Sequence, residues 1–284
     1  MEPVARADST LPVAVFDSGV GGLTVLHECL VSLPHEDFTY FGDTARFPYG
    51  ERSPALLRAF AVELGELLVA RGAKLLVVAC NSATAAALPL LRSTFAGRVN
   101  VIGVVAPESL LAARVTRSGE VGLLATPATV SSGAYERALA SAAPAARLHA
   151  VACPRLAPLI QAGGEVDERV VESVEGYCAP LRAAGVDTVI LGCTHYPLVR
   201  PLIQRAMGRG VSIVSAGQAI ADEVSQELRR AGTERRVERR GTYRFICSGE
   251  PEAFRRVGVR FVQMPLGDVS HVAVAAAPAT RAAA

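Results

Sequence analysis

A chain of 284 residues, half of them hydrophobic, has enough apolar material for one or two packed domains and is not composed like a disordered segment. Its formal net charge of +2 gives no electrostatic case for a nucleic-acid partner. Met1 to Leu11 lacks the apolar core of a secretory signal, and the longest uncharged run, Leu75 to Leu91, is broken by Asn81, Ser82 and Thr84, so neither export nor a membrane span is expected.

Residues 1–10 read as a disordered tail. Val13 to Phe16 is an apolar strand ending at Asp17-Ser18-Gly19-Val20-Gly21-Gly22, and Leu23 to Leu33 then has helical periodicity. The glycines do not make the G-x-G-x-x-G fingerprint; they imply a tight turn and close backbone approach. Phe38 to Phe41 is a strand, followed by the loop Gly42 to Gly50, in which Asp43 reads as a turn former. Ser53 caps a helix that has Pro54 at its first position and runs to Arg71.

Leu75 to Ala79 is a buried strand that ends at Cys80-Asn81-Ser82, where an alanine-rich helix begins. A thiol there faces the free N–H groups of a helix N-terminus, which lowers its pKa and suits bound anions. Val99 to Val104 is the next strand, ending near Val105-Ala106-Pro107-Glu108. The order then repeats. Val121 to Leu124 is a strand ending at Thr126, a helix lies around Ser132 to Ala142, and Leu148 to Ala152 is a strand. Val166 to Ala184 is a long helix, and Thr188 to Gly192 is a strand running into Cys193-Thr194-His195. Leu198 to Met207 is helical, Val211 to Val214 extended, and Ala219 to Ala231 helical. Tyr243 to Cys247 and Arg260 to Gln263 read as strands. Between them, Arg235 to Arg240 reads as a solvated basic surface. Residues 273–284 are low in complexity and read as a second disordered tail.

Alternating strands and helices predict an α/β fold with parallel sheets. The interval from Ser18 to Cys80 resembles that from Thr126 to Cys193, which predicts two similar domains related by a pseudo-two-fold axis. The first takes residues 11–98 and 213–270, the second 99–212. Ligands bind outside the carboxyl ends of such strands, so facing domains would close a pocket with Cys80 on one side and Cys193 on the other.

The six cysteines form no CxxC pair, so no metal site is expected, and without an export signal they are expected reduced in the cytoplasm. Cys29, Cys153, Cys178 and Cys247 read as core residues. The single lysine, Lys74, lies six residues before Cys80, roughly 20 Å along the strand, which argues against pyridoxal phosphate. Two opposed thiols suit proton transfer at a carbon stereocentre without a cofactor: one thiolate removes the proton and one thiol returns it to the other face. Asp17 and His195, at strand ends, are placed to support one cysteine each.

Four stretches carry a family resemblance. Phe16 to Gly22, Gly42 to Gly50, Ala79 to Thr84 and Leu191 to Leu198 resemble, in order, the motifs of the glutamate racemase family. The resemblance implies cofactor-independent interconversion of L- and D-glutamate, supplying D-glutamate for peptidoglycan, by a cytoplasmic homodimer. It implies that Cys80 takes the proton from D-glutamate and Cys193 from L-glutamate, assisted by Asp17 and His195. Ser18, Pro48, Tyr49, Gly50, Asn81, Ser82, Thr84 and Thr194 are implied to line the substrate site. N–H groups at Gly50, Ser82 and Thr194 suit its two carboxylates. The chain departs from the family pattern at Gln161, where many members carry a glutamate near the substrate ammonium, and at Ser215-Ala216, which replace an Asp-Ser pair. Alternatives are an aspartate or hydantoin racemase with the same chemistry, a cysteine hydrolase with His195 as base, and a catalytically silent two-lobed binding protein.

Overall fold

The computed structural model describes residues 8–162, 167–237 and 239–276. In chain order the strands are β1 (Val13–Asp17), β2 (Phe38–Gly42), β3 (Leu75–Val78), β4 (Asn100–Gly103), β5 (Glu120–Ala125), β6 (Arg147–Ala152), β7 (Thr188–Gly192), β8 (Ser212–Val214), β9 (Tyr243–Cys247) and β10 (Val269–His271). The helices are α1 (Leu23–Ser32), α2 (Pro54–Ala70), α3 (Asn81–Thr94), α4 (Val105–Val115), α5 (Pro127–Ser131), α6 (Ala134–Ala142), α7 (Leu156–Gln161), α8 (Glu168–Ala183), α9 (Arg200–Met207), α10 (Gly217–Ala231) and α11 (Pro251–Val262).

Two all-parallel sheets result. The first has the order β10-β9-β2-β1-β3-β4 and the second β6-β5-β7-β8. The inner order β2-β1-β3-β4 recurs as β6-β5-β7-β8, four strands later, so the two lobes repeat one plan. Strands β1, β2, β3 and β7 are buried along their whole length, as apolar parallel strands covered on both faces must be. Val13 and Val15 pack on one face with Leu23, Leu26 and Tyr40, while Ala14 and Phe16 pack on the other with Leu57, Phe60 and Leu64. The first of these cores continues into the second lobe through Leu124, Leu156 and Leu191. No helix among the described residues is long and apolar enough to cross a membrane.

Several expectations need correction. The second domain does not begin at 99 and end at 212: β4 hydrogen-bonds β3 in the first sheet, and β8 pairs with β7 in the second. Arg260 to Val262 are not a strand but the last turn of α11, whose cap Gln263 takes the left-handed conformation. The helix around Ser132 is two helices, broken at Gly133, whose φ of 63° a glycine adopts without strain. Helices α4 and α7 and strand β10 were not expected at all.

The predicted tails are shorter than 1–10 and 273–284. Ser9 accepts from Lys74 and Thr10 from Arg235, while the Ala275 N–H donates to Glu63 on α2. The basic run is not simply solvated. Arg235 is nearly buried, and it and Arg239 both pair with Asp37. Glu238, and residues 1–7 and 277–284 of the two tails, lie outside the described residues.

Candidate active site

The carboxyl ends of β1, β3, β5 and β7 carry the candidate site residues. Asp17 closes β1. Cys80 follows β3 in extended conformation as the cap residue of α3, and Cys193 follows β7. Thr126 follows β5 and caps α5, its hydroxyl accepting from the Thr129 N–H. A cavity of ≈ 20 Å³ lies between these ends, lined by Cys80 from the first lobe and Cys193 from the second. Ser18, Pro48, Tyr49 and Gly50 line it from the first lobe, as do Asn81 and Ser82 at the start of α3. Thr194 and His195 line it from the second lobe, where Thr126, Ala157 and Pro158 join them.

Cys80 is surrounded by apolar strand ends and is 4 % exposed. The expectation of a lowered thiol pKa is overturned. Burial pushes Cys80 up to about 12, and the nearby Asp17 charge pushes the same way. The Ala83 N–H and the Ser18 hydroxyl favour the thiolate but do not outweigh these effects. A helix N-terminus lowers a thiol pKa only where desolvation is modest. Asp17 is itself fully buried. It accepts from the Gly19 N–H at 3.0 Å and the Thr194 hydroxyl at 3.3 Å, yet burial raises it from 3.8 to about 6. It stands behind the cavity wall and acts on Cys80 through its charge.

Across the cavity, burial pushes Cys193 well above the ordinary thiol value; the His195 N–H opposes this, and Cys80 and Asp17 add to it. His195 Nδ1 lies 3.9 Å from Cys193 Sγ, and Nε2 lies 2.8 Å from Gln161 Oε1. The amide oxygen requires Nε2–H, which leaves Nδ1 as an acceptor facing the thiol. The ring packs against Phe47 at 5.4 Å and against the edge of Phe261 at 5.3 Å. Burial lowers the imidazole from 6.5 to about 3, so His195 is neutral at physiological pH. The two cysteines thus have different neighbours, a carboxylate by Cys80 and a neutral imidazole by Cys193.

The glycine turn after β1 makes this apposition possible. A Cβ on Gly21 would stand 2.4 Å from both His195 Nδ1 and Thr194 Oγ1, and one on Gly19 would stand 2.7 Å from Gln161 Oε1. The expected close backbone approach is therefore to Thr194, His195 and Gln161 of the second lobe. Opposite, the Gly50 carbonyl accepts from the Ala128 N–H at 2.8 Å, which ties the Phe47–Gly50 loop to α5. Ser82 Oγ joins the same seam, 2.8 Å from Thr126 Oγ1 and 3.1 Å from Thr129 Oγ1.

Two side chains are placed otherwise than expected. Thr84 is not on the cavity wall: its hydroxyl donates to the Val78 carbonyl at 2.9 Å, pinning α3 to β3. Asp43 is no simple turn former. It is fully buried, accepts from Tyr49 and from Arg46 Nε at 2.6 Å, and accepts from Ser248 at 2.6 Å, so it anchors the Tyr49 loop to the segment after β9. The sequence reading singled out neither Thr126 as a lining residue nor Phe261 as a neighbour of the His195 ring. Thr126 at a strand end equivalent to that of Asp17 was the one available signal. Cys29, Cys153, Cys178 and Cys247 are buried and free.

Comparison with known proteins places this geometry. A family model described as Asp/Glu/Hydantoin racemase matches residues 25–224. A curated glutamate racemase of Geobacter metallireducens is 43% identical over 264 residues, covering 93% of this chain and 97% of that protein. The crystal structure of a glutamate racemase isoform of Bacillus anthracis superposes with a TM-score of 0.88 at 36% identity, over 92% of this chain and 97% of that one. That of a glutamate racemase from Francisella tularensis, solved in complex with D-glutamate, gives 0.87 at 29% identity over 93% and 98%. The chain belongs to the Asp/Glu/hydantoin racemase family.

Proposed function

We propose that the chain interconverts L- and D-glutamate by a cofactor-independent two-base mechanism. The observation that carries this is the pair of buried thiols, Cys80 and Cys193, which follow corresponding strands of two repeated lobes and line one cavity. In the D-to-L direction the Cys80 thiolate takes the Cα proton while the Cys193 thiol delivers its own to the opposite face. The electron pair left by the departing proton captures the arriving one. The enzyme ends with a Cys80 thiol and a Cys193 thiolate, ready for the reverse reaction.

Burial makes each thiolate a strong base, which suits a weakly acidic Cα–H. His195 Nδ1 is placed to hold the Cys193 proton, and Asp17 stands beside Cys80. The complex of the Francisella relative with D-glutamate supports the substrate assignment. The cavity of ≈ 20 Å³ leaves too little room for a glutamate, so the site opens further to admit it. The product D-glutamate would feed peptidoglycan synthesis in the cytoplasm, and the family resemblance implies a homodimer.

The test is incubation with L-glutamate, and separately L-aspartate, in D₂O without added cofactor, following optical rotation and Cα deuterium. Racemisation with deuterium incorporation into glutamate is expected, and Cys80→Ser and Cys193→Ser should each abolish racemisation. No exchange into glutamate overturns the proposal, and exchange into aspartate alone moves the assignment to that substrate.

A further inference from the structure

Beneath the cavity, Asn81 is held by two side chains from different helices. Its Nδ2 donates to Glu108 Oε2 on α4 at 3.0 Å and to the Tyr135 hydroxyl on α6 at 2.7 Å. Tyr135 in turn donates to the same Glu108 oxygen. All three side chains are buried, Asn81 to 3 % exposure, Glu108 to 1 % and Tyr135 to 0 %. Both amide hydrogens of Asn81 are therefore used. As placed, the amide turns both hydrogens toward this carboxyl–phenol pair and its oxygen away from it. What remains is Asn81 Oδ1, buried and without a hydrogen-bond partner among the described residues.

A buried acceptor with no donor is costly unless a ligand satisfies it. Asn81 lines the cavity with both cysteines. Glutamate offers carboxylates, which only accept, and one donor group, its ammonium. We propose that Glu108, together with Tyr135, is a positioning residue: the pair holds the Asn81 amide so that Oδ1 accepts from the substrate ammonium. This rests on glutamate being the substrate, as proposed above.

The assignment also accounts for Gln161. The carboxylate expected at that position is a neutral amide, and its oxygen is taken by His195. Glu108 supplies a carboxyl from another helix, one amide away from the cavity. Burial pushes it up to about 8, against the opposing hydrogen bonds from Tyr135, the Ala216 N–H and Asn81. Position 216 lies in the second departure from the family pattern, so that departure meets this network.

The experiment compares wild type, Glu108→Gln and Tyr135→Phe as full-length protein. It measures KM and kcat for D- and L-glutamate, and Ki for glutarate, which has both carboxylates and no ammonium. The expected result is a KM for both glutamate enantiomers raised roughly tenfold or more, with glutarate inhibition unchanged. Equal weakening of glutarate and glutamate would show a merely structural role and overturn the proposal; so would an unchanged glutamate KM. Should Glu108→Gln not fold, Tyr135→Phe, which keeps the ring, decides by the same two readouts. A wild type without glutamate exchange is a separate outcome, which overturns the substrate reading itself and this inference with it.

Discussion

Replacing Gly21 by alanine tests whether the turn after β1 sets the position of the second lobe's catalytic edge. Gly21 does not have a positive φ, so alanine meets no backbone penalty and the effect is one of contact alone. The new Cβ would lie 2.4 Å from His195 Nδ1 and 2.4 Å from Thr194 Oγ1. Ordinary contacts are about 3.5–4 Å, so roughly 1 Å must be yielded. His195 cannot yield freely, since Phe47 and Phe261 flank the ring and Gln161 holds Nε2. Thr194 is tied to Asp17 across the lobes. The lobes must therefore part or His195 must leave Cys193.

A displacement of this size at reacting groups costs about a hundredfold in rate, and overpacking costs about 1–3 kcal/mol in stability. Gly21→Ala should accordingly lose about a hundredfold in kcat/KM for glutamate. The loss must be equal from either enantiomer, because the two have the same free energy. Circular dichroism follows each direction, and thermal unfolding confirms that the variant is folded at the assay temperature. A folded Gly21→Ala protein within about threefold of wild type would refute the reasoning, because the apposition would then be dispensable.

The buried ion pair at the far end of the first sheet sets a stability test. Lys74 Nζ lies 2.5 Å from Glu36 and donates to the Ser9 and Thr233 carbonyls, so Lys74→Met should cost about 3–5 kcal/mol. The corresponding fall in Tm is roughly 6–20 °C, and Lys74→Met/Glu36→Gln should recover part of it; a loss under about 1 kcal/mol sinks the argument. Asp17 is raised from 3.8 to about 6, so its stabilising contribution is complete below its unfolded value and lost as pH rises through about 6. In urea unfolding, Asp17→Asn should gain on wild type by up to about 3 kcal/mol between about pH 4 and pH 7, and a flat difference contradicts the burial account. Gln161→Glu places a carboxylate on His195 Nε2 and favours the imidazolium, which shifts the acid limb of the kcat/KM profile to higher pH. An active variant with an unmoved acid limb would remove His195 from the titrating machinery.

Much of the fold was legible because its signals are local. The apolar runs Val13 to Phe16, Leu75 to Val78 and Thr188 to Gly192 are short, bounded by turn residues and buried along their length, as parallel strands covered on both faces are. Ser53 and Pro54 mark the start of α2, where Ser53 accepts from the Leu56 N–H. Misreadings arose where tertiary context overrode pattern. Arg260 to Val262 resemble an edge strand when read alone, yet they end an amphipathic helix that brings Phe261 to His195. Pro107 was read as the end of a strand, although a proline in the first turn of a helix is as natural, and α4 with Glu108 was lost. The β4 and β8 assignments failed because sheet membership depends on which edge accepts the strand.

By itself, the amino-acid sequence determined the α/β class, the repeated plan, the two cysteines after equivalent strands and the turn glycines. Each follows from periodicity, spacing or backbone geometry within a few residues. Only the tertiary structure decided the electrostatics. Desolvation depends on everything packed around a group, so it turned a cysteine expected to be acidic into one pushed up to about 12 and made His195 a neutral acceptor. It also decided partners far apart in the chain. Thr84 turned away to Val78, Asp43 became an anchor for Tyr49, and Asn81 met Glu108 and Tyr135, because helices from both lobes converge beneath one cavity.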